Sequence, residues 1–416
     1  MRVAVFHPGT QHSHETALGF QHAGELAWYA SEIFYDPHRY PYRLIRLLPA
    51  GLREKAIHEF RRRYHPDLDP ALVRTFGTWE WIERASMRAG FRRVEHYANE
   101  WGNRRFGARV GAMAVRDGVG VLWGYDTSSL EAFAIARAHG MTCVLEQTIG
   151  HPRAWNKILL EERRQMPPDF DPYPRPYPEA DLARVDREIA LADHVCCGSS
   201  FVQSTLGEWG VPPGKTTVVP YGVRAENFAP SREPPRTSGL RLLFVGHFGM
   251  RKGAWYLLRA LERLTHLRGL TLTIIGKQTV GERHLAPFAS SVRTLPHTPR
   301  ERMPAIYAEA DVLVLPTLFE GSAITTYEAL ASGLPVITTP NAGSIVRDGV
   351  DGFVVPIRDV DALAERIERL YGSPRLRADM ARDARLRALE FPWERYQRDC
   401  VRVADVVTAG RAVVPS

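Results

Sequence analysis

Two glutamates eight residues apart, Glu320 and Glu328, have the types and spacing best suited to chemistry in this chain. A carboxylate accepts hydrogen bonds in pairs, so each suits vicinal hydroxyls such as those of a sugar or a ribose. Upstream, Arg251 and Lys252 stand just before Gly253 and a helical pattern. Two cations beside a helix start would hold a doubly charged diphosphate. Each feature also has a plainer reading: a carboxylate resting against a helix dipole, and surface cations on a helix end. The loop lacks GxxxxGK[ST], and no GxGxxG follows the first strand. Both absences count against a P-loop nucleotidase and a nicotinamide dehydrogenase.

These residues need elements to position them. The apolar run Val312–Leu315 stops at Pro316, and a loop of small residues then carries Glu320. A helix-forming stretch carries Glu328, and Gly333 closes it before the run from Leu334 to Thr338. The pattern predicts strand, loop, helix and strand, the unit of a parallel sheet. Ligands of such sheets bind beyond the carboxyl ends of the strands, where Glu320 would sit. Leu242–Val245 likewise predicts a strand that ends at Gly246, ahead of Arg251 and Lys252.

Further back, residues 2–7 predict a first strand, followed by Gly9-Thr-Gln-His. Residues 40–118 read as mostly helical, and a helix over Leu130–Ala138 is expected with Ser128 or Ser129 as its cap. Residues 166–178 hold six prolines and three aromatics, which predicts a surface loop. The segment Pro230–Gly239 breaks all pattern and reads as a linker. Strand–helix alternation on both sides of it predicts an α/β fold of two doubly wound, Rossmann-like domains. The expected limits are 1–229 and 238–392, with a final helix over 393–416.

The totals set outer bounds. At 416 residues, 44% hydrophobic and 24% charged, the chain has the make-up of an ordinary globular protein. The start is too soon broken by Pro8 for a signal peptide, and no run reaches the roughly 18 apolar residues of a membrane span. The four cysteines lack CxxC spacing, so neither zinc nor a disulfide framework is indicated. A cytoplasmic location follows as the expectation, with no metal. Basic residues number 54 against 47 acidic, for a net charge of +7. Between Arg39 and Arg63 there are eight Arg or Lys and two Asp or Glu, interleaved with Tyr42, Leu44, Ile45, Leu47, Leu48 and Phe60. That stretch suits an anionic membrane or an acidic acceptor, and it equally suits a solvated helix face over core residues. No nucleic-acid-binding motif accompanies the charge.

Taken together, the motifs resemble those of the retaining, family-four ("group 1") glycosyltransferases with the GT-B fold. Glu320 and Glu328 match that family's E-x7-E pair. Gly246–Gly253 (GHFGMRKG) resembles its G-R-x(4)-K-G segment, with His247 where the family has arginine. Ala192–Ser200 (ADHVCCGSS) resembles its ADxVIxxS strand, and Val218–Val223 (VVPYGV) its VIPNGVD. Asn341–Val355 and Phe391-Pro-Trp393 resemble two further late motifs. Coverage runs from about residue 185 to 396 and is thin before that.

The resemblance implies two facing domains with an interdomain cleft and a nucleotide-diphosphate sugar as co-substrate, with no other cofactor. In its terms Glu320 would meet the donor sugar and Glu328 the ribose. Main-chain amides from Gly321, Ser322, Ala323, Ile324 and Thr325 would hold diphosphate and sugar. Lys252, with Arg251 and His247, would neutralise the leaving diphosphate. Gly9, Gly276 and His297 would complete the donor site, and His151, at a strand end, would contact the sugar. The implied activity is glycosyl transfer to a carbohydrate, lipid-linked or small-molecule acceptor in bacterial cell-surface, exopolysaccharide or glycolipid synthesis. Other readings are an epimerase or phosphorylase on the same fold, or a non-catalytic nucleotide- or polysaccharide-binding relative.

Overall fold

The computed structural model describes residues 1–9, 12–40, 42–61, 63–76, 92–230, 238–296 and 298–412. Most of the expected linker (231–237) and His297 lie outside the described residues. The chain divides into two compact units. One comprises Met1–Glu146, Ala180–Cys196 and Tyr396–Ser416, and the other Gln147–Glu179 and Cys197–Arg395.

Strands β1 (Val3–Phe6), β2 (Leu26–Ser31), β3 (Val73–Thr75), β4 (Val121–Tyr125), β5 (Thr142–Gln147), β6 (His194–Cys197) and β7 (Thr216–Val218) form the first sheet. Its order is β3-β2-β1-β4-β5-β6-β7. The second sheet holds β8 (Leu240–Val245), β9 (Leu270–Ile275), β10 (Val292–Leu295), β11 (Val312–Leu315), β12 (Val336–Thr338) and β13 (Gly352–Val354), in the order β10-β9-β8-β11-β12-β13. Every pairing in the second sheet is parallel. The direction of winding reverses between β1 and β4 in one sheet and between β8 and β11 in the other. Such a reversal opens a crevice beyond the strand ends, which is the doubly wound arrangement expected.

Apolar runs become strands here because both sheet faces are covered. All four residues of β11 (Val-Leu-Val-Leu) are buried, as continuous runs in parallel sheets require. The helix Val360–Gly372 buries Leu363, Ile367 and Leu370, one stripe at helical spacing, and Asp359 caps it by accepting the Ala362 amide at 2.8 Å. Among the described residues no helix is long and apolar enough to cross a membrane.

Three local expectations need correction. The stretch 40–118 also contains strand β3, too short to show alternation. The helix Leu130–Ala138 forms as expected, but neither serine side chain caps it. Instead Glu188 reaches in from the helix Glu179–Leu191 and accepts the amides of Thr127 (2.7 Å), Ser129 (2.5 Å) and Leu130 (3.0 Å). Burial pushes this carboxyl up to about 8, with the Ser129 and Thr127 amides pulling the other way. The proline-rich segment is no mere surface loop either. Phe170 is fully buried against Trp255 and His284, and Asp171 is buried as well.

Candidate active site at the β8–β11 switch point

The site is assembled where the second sheet reverses its winding. After β8 the chain turns at Gly246 and enters a short 3-10 turn, Met250–Lys252. Gly253 then adopts a left-handed conformation (φ +74°) before the helix Ala254–Arg263. A Cβ on Gly253 would lie 1.8 Å from the Pro316 carbonyl oxygen, so only glycine lets this turn pack against the end of β11. Backbone and side chains then tie the two loops together. The Arg251 carbonyl accepts the Leu318 amide at 2.9 Å and the Thr317 hydroxyl at 3.0 Å. Arg251 Nη1 also donates to the Phe319 carbonyl at 3.2 Å.

This framework brings Glu320, Arg251 and Lys252 together. Glu320 Oε1 lies 2.9 Å from Lys252 Nζ and 2.9 Å from Arg251 Nη1. These are ion pairs by distance; neither meets hydrogen-bond angles, and Oε1 is buried. Two cations against one carboxylate leave a surplus of positive charge beside the loop. Lys252 is itself buried, with its stem over Gly246. Gly276 (φ +124°) closes against Gly246 in turn, since a Cβ there would lie 2.4 Å from the Gly246 carbonyl oxygen.

The loop from Gly321 to Thr325 is equally fixed. Ser199 donates to the Gly321 carbonyl at 2.5 Å, and Ser322 donates to the Gly343 carbonyl at 3.0 Å and pairs with the Tyr327 hydroxyl at 2.8 Å. The Ala323 amide is spent on the Ala342 carbonyl. Among the described residues no main-chain acceptor takes the amides of Ile324 and Thr325, which open the helix Ile324–Ala331. The Thr325 hydroxyl is buried without a hydrogen-bond partner there. Glu328, one turn on, accepts the Tyr307 hydroxyl at 2.8 Å. Burial raises its carboxyl above the ordinary range, opposed by that hydroxyl and by Arg300.

His247 is exposed and pairs through Nε2 with the Thr279 hydroxyl at 2.9 Å. Desolvation, with Lys277, Arg251 and Lys252 nearby, holds it below the ordinary histidine value, and Asp171 opposes them. His151 is buried and caps the helix Pro152–Gln165, its Nδ1 accepting the Arg153 amide at 3.2 Å. Its own amide donates to Thr205. The loop before it touches the site: the Gly150 amide donates to the Glu320 carbonyl at 3.3 Å, and a Cβ on Gly321 would lie 1.7 Å from the Thr148 carbonyl oxygen. Gly9 belongs to the other unit, where its amide donates to His7 Nδ1 at 2.9 Å.

Several supporting residues carried no sequence signal of their own. Asp171 accepts the Met250 amide at 2.8 Å and so steadies the turn that presents Arg251 and Lys252. Tyr307 and Thr148 are similar cases. Their contacts join segments more than 20 residues apart, which local pattern does not reveal.

Comparison with known proteins places this architecture in a class. Sucrose-phosphate synthase from Thermosynechococcus elongatus superposes with a TM-score of 0.62 over 99% of this chain and 100% of its own, at 17% identity. Anabaena HepE in complex with UDP gives 0.62 over 98% and 100%, at 14% identity. The fold is that of the GT-B glycosyltransferases.

Residues 239–373, which contain the Arg251–Lys252–Glu320 cluster and Glu328, match the family model "Glycosyl transferases group 1". A D-inositol 3-phosphate glycosyltransferase from Nocardiopsis dassonvillei is 31% identical over 263 residues, 57% of this chain and 61% of that protein. An MMP alpha-(1->4)-mannosyltransferase from Mycolicibacterium hassiacum is 30% identical over 237 residues, 54% and 56% respectively. The matched part spans about half to three fifths of each of these relatives.

Proposed function

We propose that the protein transfers a sugar from a nucleoside-diphosphate sugar to an acceptor hydroxyl, with retention at the anomeric carbon and without a metal. The observation that carries this reading is the meeting of Lys252, Arg251 and Glu320 at the switch point of the second sheet. Cations fixed beside a helix start suit a diphosphate, and a carboxylate next to them suits the attached sugar. The unspent amides of Ile324 and Thr325 and the Thr325 hydroxyl add donors for phosphate or sugar oxygens. Glu328, half-buried and already holding one hydroxyl, is suited to the ribose. HepE, which shares the fold, was solved with UDP.

In the reaction the bond from the anomeric carbon to the diphosphate oxygen breaks as the acceptor oxygen bonds to that carbon from the same face. The acceptor proton passes to the departing phosphate, and a nucleoside diphosphate leaves. Lys252 and Arg251 stabilise the charge that develops on it. A double displacement would need two carboxylates about 5 Å apart across the bond. Glu320 and Glu328 are separated by a loop and a helical turn that alone rises about 5.4 Å, so the front-side route fits better. Glu320 then orients the sugar. His151, committed to a helix cap, acts by holding the 148–151 loop against Glu320 and Gly321. His247 contributes as a neutral hydrogen-bonding group, and Gly276 lets the β8 and β9 ends close together.

The first unit takes the acceptor, a carbohydrate or a lipid-linked or small molecule of bacterial surface-glycan synthesis. The stretch 39–63 rests on an anionic membrane from the cytoplasmic side. The test is a panel of UDP-, GDP-, ADP- and dTDP-sugars, each with soluble and lipid-linked acceptors and product anomers read by NMR. A retained-configuration glycoside that disappears in Glu320→Gln is expected. Epimerised donor, a sugar phosphate formed with added phosphate, or full activity in Glu320→Gln would each refute the reading.

A further inference from the structure

The basic segment singled out in the sequence forms a 3-10 turn, Tyr42–Leu47, followed by the helix Ala50–Arg61. With three residues per turn, positions three apart fall into one row. Three rows result. Tyr42 and Ile45 are half-buried, and the Tyr42 ring meets Tyr35 and Phe60 with centroids 5.4 and 5.3 Å away. Leu44 and Leu47 are exposed, Leu47 to 80%. Arg43 and Arg46 form the third row, also exposed. Tyr40, Leu48 and Leu52 are exposed as well, Tyr40 to 70% and Leu52 to 57%.

The aromatic row anchors the segment, so its packing does not use the outer leucines. Between Arg39 and Glu54 the sequence holds four arginines and one acid. Arg39 is partly spent on Asp36 at 3.4 Å, while Arg43 lies over the Tyr40 ring at 5.9 Å. Large leucines in water, flanked by cations of one sign, match a surface that is apolar below and anionic above.

We infer that the outer face of residues 42–52 docks on an anionic lipid bilayer, with Leu44, Leu47, Leu48 and Leu52 entering the interface and Arg43 and Arg46 at headgroup level. This deepens the membrane partner named under the proposed function. The docking rests on this surface alone; only its consequence, a lipid-borne acceptor, rests on the transferase reading.

Full-length protein is sedimented with phosphatidylcholine vesicles, with and without phosphatidylglycerol, at low and high salt. Binding is expected to anionic vesicles at low salt, and to weaken as salt rises. Replacing Arg43 and Arg46 by Gln should weaken it about 30-fold, at about fivefold per charge. Leu44→Ser with Leu47→Ser should weaken it by about tenfold or more. No sedimentation of the wild type with anionic vesicles at low salt overturns the inference. So does undiminished binding by both double variants, and an acidic protein captured at this face without vesicle binding would replace it. Sugar transfer to a soluble acceptor is measured in parallel. Its survival without vesicle binding refutes only the docking, and its absence with vesicle binding refutes only the transferase reading.

Discussion

Glu320 Oε1 lies 2.9 Å from Lys252 Nζ, and this contact joins the loop after β11 to the turn after β8. A carboxylate and an ammonium from two strand ends thus share one point at the switch of the sheet. Replacing Lys252 by Ala removes one of the two cations at Glu320 and leaves Arg251 as the remaining partner. Turnover of the nucleotide sugar should fall by about 100- to 1000-fold, the usual effect of deleting one preorganised electrostatic group. Initial rates at saturating donor would check this; a fall of less than threefold would remove Lys252 from the chemistry.

Glu328 couples stability to binding with opposite signs. Burial raises its folded pKa above the ordinary 4.5, so the folded state disfavours the carboxylate. Its contribution to stability is therefore full below that value and declines as pH rises through the raised one. Glu328→Gln keeps an acceptor for Tyr307 and escapes the decline, so its Tm at neutral pH should equal or exceed that of the wild type. Affinity for a nucleoside diphosphate should fall by about tenfold to a hundredfold, as expected when a charge-assisted hydrogen bond is lost. Calorimetric melting and titration on the same samples separate the two effects; a lower Tm with unchanged affinity would contradict both.

Glu188 extends the same logic to the first unit. Its folded value of about 8 against an ordinary 4.5 means that the unfolded chain releases the proton first as pH rises. Wild-type stability should drop relative to Glu188→Gln between about pH 4.5 and about 8. Urea melts across that window provide the check, and a gap that moved the other way would show that the three amide contacts dominate.

His151→Asn tests a positioning role. Asparagine is a good N-cap, so the helix Pro152–Gln165 should keep its start. The variant is expected to retain stability to within about 1 kcal/mol and transfer to within about tenfold, with the loss in KM and kcat together. A collapse in kcat alone, at unchanged Tm, would instead mean that the imidazole acts directly on the substrate.

The parts of this account that were legible in the sequence are those encoded locally. The apolar runs ending at Gly246 and Pro316 marked both strands of the switch point, and the small-residue loop and the helix-forming stretch closed by Gly333 placed Glu320 on a loop and Glu328 on a helix. Gly253 was visible as a helix opener, while its close approach to Pro316 was not, because it depends on two loops some 60 residues apart. The Glu320–Lys252 contact, the Asp171 brace and the Glu188 cap are long-range in the same way. Residues 166–178 misled because prolines and aromatics read as exposed loop, whereas Phe170 is core and Asp171 serves the Met250 amide. His151 read as a strand-end residue, and that its Nδ1 also accepts the Arg153 amide at the start of a helix carried no signal in the sequence.

The central claim, that Arg251, Lys252 and Glu320 form the diphosphate end of a nucleotide-sugar site, is tested most directly by calorimetric titration. UDP, GDP, ADP and dTDP would each be titrated into the wild type and into Lys252→Ala. At least one should bind the wild type and bind Lys252→Ala about tenfold to a hundredfold more weakly, the cost of a lost charged contact. If none binds, or if the variant binds its nucleotide as tightly as the wild type, the cluster is a structural ion pair and the account is wrong.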